Sequence, residues 1–293
     1  MNSTTYSILV PIGFSEQSLI ALEQAERLAV LTKGEITLLS VIETSGMLSR
    51  LFGEDHAQYK DLKSSLQAKL DKLAAEVSAR IGLKVNAMAS KGKVSQKIIE
   101  VAELISAKLI VMGTNGSPSE FSKKVIGSNA FRVVTHSTCP VITIKGKDHF
   151  KGCRSIILPL DLEKETKEKV SHALKLARLW GSTVKVVAIS NNKDEDAQIK
   201  LKANLNQVKK FLTSGGVSTE AALIHSGGKT LAQTIIEYST TNNGDLIMIM
   251  TQQESDYTNH FIGSSAQSII YNSDTPVMSV RPQINLRTVY DLP

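Results

Sequence analysis

The chain carries the same pattern twice. "SILVPIGFSEQSLIALEQAERLAVLTKGEITLLSVIE" begins at Ser7, and "SIILPLDLEKETKEKVSHALKLARLWGSTVKVVAIS" begins at Ser155. Pro11 matches Pro159, and Gly34 falls near Gly181. Towards the end of each copy, "GSNAFRVVTHSTCPVITIK" from Gly127 matches "GSSAQSIIYNSDTPVMSVR" from Gly263, which aligns Pro140 with Pro276. Each half is therefore a complete copy of one unit. The boundary falls in the polar, glycine-flanked "GKDHFKG" at 146–152, which divides the 293 residues into domains 1–148 and 149–293.

Within a copy, short apolar runs alternate with helical patterns. "SILVPI" and "EITLLSVI" are continuous apolar runs, as strands covered on both faces require. Between them Leu19, Leu22, Ala25 and Ala29 recur at helical spacing, and Leu62, Leu66, Leu70, Leu73, Val77 and Ile81 make a longer stripe. "KVNAMAS", "KLIVMG" and "PVITIK" read as further strands, separated by helices in "SQKIIEVAELISA" and from Ser128 onward. Five strands in strict alternation with four helices predict an α/β fold, an open parallel sheet with helices on both faces, once in each half. In such sheets ligands bind beyond the strand C-termini, where strand order reverses. The last strands, "PVITIK" and "PVMSVR", are edges in the expected order. Exposed apolar edges are a liability, so the two halves are expected to pair through them as an intramolecular pseudo-dimer. The tail "QINLRTVYDLP" offers cover for an edge or for a second copy in a homodimer.

Composition narrows the class. Hydrophobic residues make up 42% and charged residues 21%, as in ordinary globular protein. No run approaches the ~18 apolar residues of a membrane span, and "MNSTTYSILVPIG" lacks a basic segment followed by an apolar one. The expectation is a cytoplasmic protein with no membrane partner. Two cysteines, Cys139 and Cys153, suit a reducing compartment and show no metal-ligand spacing. The net charge of +6 is spread over both halves, and aromatics are only 5%, so the basic, aromatic-interleaved face of a nucleic-acid binder is absent. A mild preference for anions remains.

The segment "VMGTNGSPSEFSKKVIGSNA" is where that preference finds a place. It leaves a buried strand through Gly113 and Gly116 and enters a helix at Gly127-Ser128. Loop glycines tolerate positive φ and close backbone approach, which is turn chemistry. They also let an anion reach backbone N–H groups, with the positive end of a helix behind. The Ser128 hydroxyl can cap that helix or bond to a ligand.

Together these pieces resemble the universal stress protein family in its tandem two-domain form, over about Ser7 to Pro282. The resemblance implies an adenine nucleotide alpha hydrolase-like fold. It also implies a nucleotide loop of the form Gly-x2-Gly-x9-Gly-Ser/Thr after the fourth strand. Gly113, Gly116, Gly127 and Ser128 match it, with ten intervening residues in place of nine. By the same resemblance Pro11, Ile12 and Gly13, with Val41 after the second strand, hold adenine and ribose. Met112, Thr114, Asn115 and Asn129 complete the expected site. The cofactor implied is ATP or another adenine nucleotide, with or without Mg. The family's usual aspartate in the first loop is Gly13 here, which removes a ribose hydroxyl acceptor. In the second half "IMTQQE" stands for "VMGTNG", so Met250 and Gln253 replace the two glycines, while Gly263, Ser264 and Asp161 keep the other positions. That half is expected to be nucleotide-free, with Met250 in the space a phosphate would need.

Other motifs carry less. "HSGGKT" at 225–230 resembles a phosphate loop, but Leu223 stands where its first glycine belongs. "SGGVST" from Ser214 follows a helix and reads as a turn. The six histidines show no metal spacing and no recurring partner. His136 suits a helix C-terminus and His172 a surface helix among lysines. No nucleophile has an identifiable base. The sequence thus points to a nucleotide-binding module for stress response or signalling, acting through protein partners. A ligand-free scaffold of the same fold and a weak ATPase are the two rivals.

Overall fold

A computed structural model of the chain describes residues 5–43, 56–114, 127–145, 152–160, 166–190, 195–251 and 263–281. The first half runs β1 (Ser7–Pro11), α1 (Glu16–Thr32), β2 (Glu35–Glu43), α2 (His56–Ile81), β3 (Val85–Gly92), α3 (Val94–Leu104), β4 (Leu109–Gly113), α4 (Ser128–His136) and β5 (Val141–Ile144). The second repeats it as β6 (Ser155–Leu160), α5 (Thr166–Trp180), β7 (Thr183–Ser190), α6 (Glu195–Ser214), β8 (Thr219–His225), α7 (Leu231–Thr241), β9 (Leu246–Met250), α8 (Ser264–Asn272) and β10 (Val277–Val280).

The ten strands form one sheet in the order β3-β2-β1-β4-β5-β10-β9-β6-β7-β8. Every pairing is parallel except that between β5 and β10, where Val277 faces Thr143 and Ser279 faces Val141. The Thr143 hydroxyl adds a bond to the Val277 carbonyl at 3.2 Å. The expected edge-to-edge pairing of the two halves is what the structure shows, and it makes the two sheets continuous. Each parallel crossover places a helix on one face or the other. α1, α2, α5 and α6 pack on one face and α3, α4, α7 and α8 on the opposite one. Strand residues alternate between these cores, Ile8 and Val10 facing one and Leu9 the other, so the runs read as uniformly apolar.

Local chemistry sets the element ends. Ser15 caps α1 by accepting from the Ser18 N–H, and Lys33 closes the helix in a left-handed conformation with φ of 49°. Gly34 follows because a Cβ there would lie 2.2 Å from the Tyr6 carbonyl oxygen. That carbonyl accepts the Glu35 N–H at 2.9 Å and so couples the end of α1 to the start of the β1–β2 ladder. Two stripe residues do not bury as expected: Leu19 is 38% exposed and Leu62 55%. In α2 the stripe meets the core from Leu66 onward.

Candidate functional site

β1 connects outward to β2 on one side and has β4 on the other, so strand order reverses between β1 and β4. A cleft of about 700 Å³ opens beyond the C-terminal ends of these strands, a size that suits a small ligand. It gathers residues far apart in the chain. Pro11, Ile12 and Gly13 come from the end of β1, and Met112, Gly113 and Thr114 from the end of β4. Gly127, Ser128 and Asn129 come from the entry to α4. Val41 lines it too, although it lies inside β2, which runs two residues beyond it. Asn115 and Gly116 lie outside the described residues.

The glycines hold their places for different reasons. Gly113 is the last residue of β4 and has no left-handed φ. A Cβ there would sit 3.0 Å from the Gln17 Cβ and 3.3 Å from its backbone carbon, so glycine lets β4 approach α1 closely. Close approach, not positive φ, explains it. Gly13 is exposed, has no left-handed φ, and a Cβ built on it meets nothing within 4 Å. The left-handed residue of this loop is its neighbour Phe14, with φ of 55°, which turns the chain into the Ser15 cap.

The entry to α4 corrects one expectation. Gly127 is the N-cap, with φ of −52° and ψ of 136°, and no side chain caps the helix. Ser128 is the first helical residue and is exposed, which puts its hydroxyl past the capping position. Thr114 ties the site's base together: its N–H donates to Ile144 at 2.9 Å, and its carbonyl accepts the Gly127 N–H at 3.0 Å. Leu39, Val94 and Ile98 supply an apolar wall that the sequence motifs did not mark, and Ser15, Glu16, Ser18 and Ser40 supply polar groups. Glu16 is the one charged side chain among the described residues of the lining. The "FSE" signature of a capped helix start could have pointed to Ser15 and Glu16. The α3 residues are visible only once β2 and α3 are placed together.

The universal stress protein family model matches residues 5–145 and, again, 152–281. This chain belongs to the universal stress protein family. A universal stress protein of Synechocystis is 29% identical over 138 residues, covering 47% of this chain and 84% of the relative. One from Methanocaldococcus jannaschii is 30% identical over 139 residues, covering 47% of this chain and 81% of its own length. The crystal structure of a universal stress protein from Archaeoglobus fulgidus DSM 4304 covers 97% of this chain and is itself covered completely, with a TM-score of 0.74 at 20% identity. That likeness shows the fold.

The second copy of the universal stress protein fold keeps the frame of the first and changes its lining. Thr251 donates its N–H to Val280 at 3.0 Å, as Thr114 does to Ile144, and Gly263 opens α8 with φ of −55° and ψ of 146°. Met250 stands at the Gly113 position and is buried in the α1/α2/α5/α6 core. It packs into that core, where the expectation had it filling phosphate space. Asp161 and Gln253 lie outside the described residues.

The remaining motifs have structural partners. Lys229 pairs with Glu237, and Thr230 caps α7 in a reciprocal capping box with Gln233. Gly227 and Gly228 take φ of 60° and 84°, as a turn requires. His136 ends α4, with Nδ1 2.9 Å from the Arg132 carbonyl. His172 is half-buried, 3.8 Å from Glu168, and burial lowers its pKa; it is less exposed than its lysine neighbours suggested. Burial pushes the Cys153 thiol up to about 12 and also raises that of the half-buried Cys139, so neither is poised as a nucleophile. No metal-binding cluster of His, Cys, Asp or Glu occurs among the described residues, and none of their helices is long and apolar enough to cross a membrane.

Proposed function

We propose that the N-terminal half binds one adenine nucleotide per chain and that the protein is a cytoplasmic module for stress response or signalling, without strong catalysis. The observation that carries this reading is the single cleft at the β1–β4 reversal, into which ten residues picked from sequence converge. Its chemistry suits the ligand. Val41, Val94 and Met112 offer an apolar surface for a base, with the buried Leu39 and Ile98 packed behind it. At the other end, the α4 N-terminus presents N–H groups that no side chain caps, which favours phosphate. Gly13 leaves the ribose region open. The domains are then 1–148, which holds the nucleotide, and 149–293, which does not.

Titration calorimetry with ATP, ADP, AMP and adenosine tests this. The expected stoichiometry is one per chain, lost in Gly116→Val with the fold retained. Two sites per chain, or unchanged affinity in the variant, would overturn the assignment. Absence of binding by all four ligands would leave a scaffold of the same fold acting through protein partners.

A further inference from the structure

A second cavity of about 870 Å³ lies where the two halves meet, away from the nucleotide cleft. α1 contributes its C-terminal turns, α2 its last residues, and the second half the segments leading into β6 and out of α5. Val30 and Leu31 stand in it 52% and 47% exposed. Ile81 and Trp180 extend the apolar wall; the indole N–H of Trp180, a residue only 5% exposed, has no hydrogen-bond partner among the described residues.

Charge is arranged on the same wall. Among the described residues three arginines and two glutamates line the cavity, a net single positive charge. Glu26 is buried and held by a fork from Arg80, Nε to Oε2 at 2.9 Å and Nη2 to Oε1 at 2.7 Å. Glu23 and Arg27 stand one helical turn apart on α1 and offset each other in charge. Arg154 is the remaining cation. Its neighbour Asp245 accepts the Ser155 N–H at 3.0 Å, and its carboxylate also feels the Arg154 charge.

The internal repeat supplies a control for what the fold itself requires. With Ser7 on Ser155, Arg154 corresponds to Tyr6, Glu26 to Leu174 and Val30 to Arg178. Tyr6 and Leu174 pack against the core. The pairing of an apolar wall with a buried ion fork and an added cation is thus peculiar to one side of the pseudo-two-fold. Exposed apolar side chains beside a cation, in a concave site of ligand size, are what an amphipathic anion needs.

We infer that this junction cavity binds a small amphipathic monoanion, an apolar body carrying one acidic group, with the body on Val30 and Leu31 and the charge on Arg154. The site joins both halves through α1, whose N-terminal residues also line the nucleotide cleft.

Trp180 is the chain's single tryptophan, so energy transfer from it reports a probe bound nearby, and Leu31→Glu, Arg154→Gln and competition by adenosine assign that probe to this cavity or to the β1–β4 cleft. The probe is anilinonaphthalene sulfonate, a fluorescent monoanion, titrated into the full-length protein. Its uncharged analogue phenylnaphthylamine is the companion probe. Saturable transfer at one site per chain is expected, displaced by decanoate or naphthoate and unaffected by adenosine. Whichever acid competes better identifies an aliphatic or an aromatic body. Leu31→Glu should weaken both probes by about tenfold or more, and Arg154→Gln should weaken the sulfonate by about tenfold while sparing the neutral probe. Both positions are exposed, and circular dichroism confirms the fold of each variant; if one misfolds, the other decides. Absence of saturable transfer, displacement by adenosine, or indifference to a correctly folded variant would each overturn the inference.

Discussion

At the scale of residues, the first loop sets up the clearest experiment. Gly13 stands where the second copy has Asp161, and its surroundings leave room for a side chain without backbone strain. Glycine's tolerance of positive φ is not in use there, since Phe14 takes the left-handed turn. Gly13→Asp should therefore fold normally and place a carboxylate beside the proposed ribose. A hydrogen bond to a charged group contributes roughly 1.5–3 kcal/mol, so adenosine should bind about tenfold tighter or more. ATP should gain less, because Glu16 already lines the cleft and a second carboxylate adds repulsion toward phosphate. Paired titrations of parent and variant measure both. Weaker adenosine binding in a folded variant would mean that residue 13 does not face the ribose.

Elements show how far the sequence could be read, and where reading stopped. Alternation of apolar runs and helical stripes was enough for ten strands, eight described helices and the β5–β10 junction, because each carries a strong period or an exposed edge. Leu19 and Leu62 escaped because a stripe marks one face of a helix but not how far that face runs along the sheet. The β1–β4 cleft was largely legible, since its loops follow β1 and β4 directly. Val94 and Ile98 were not, because they enter it from α3 only after the crossover is folded. The junction cavity was illegible, as residues 23–31, 80–81, 152–154 and 180–183 share no motif. Glycines likewise look alike in sequence and differ in role. Gly34→Ala should destabilise the protein, since its Cβ would press on the Tyr6 carbonyl at 2.2 Å where α1 hands over to β2. Overpacking of this kind costs about 1–3 kcal/mol, whereas Gly13→Ala meets open space and should change stability little. Urea unfolding of the two variants side by side checks the contrast; equal midpoints would show that the α1–β2 turn can relax.

For the whole molecule, the decisive fact is that the cores divide by sheet face and not by half. Ile142 and Ile144 of the first half share one core with Met278 and Val280 of the second, and Val141 shares the other with Val277. All six are 0–3% exposed. Fully burying one such side chain contributes about 1.5–3 kcal/mol. If only a third of that depends on the opposite half, the junction couples the two by on the order of 5 kcal/mol. Repeated domains that differ in stability unfold separately when their coupling is smaller than the difference between them. Here the same fold and the continuous sheet keep that difference small, so the full chain should unfold in one cooperative transition. Trp180 reports from the second half and its junction with the first, while far-ultraviolet circular dichroism reports from both halves throughout, and the two curves should coincide. Ile142→Asp would put a carboxylate into the shared core and separate the transitions by breaking the coupling. Two resolved transitions in the parent protein would show that the β5–β10 pairing joins the halves without making them one folding unit.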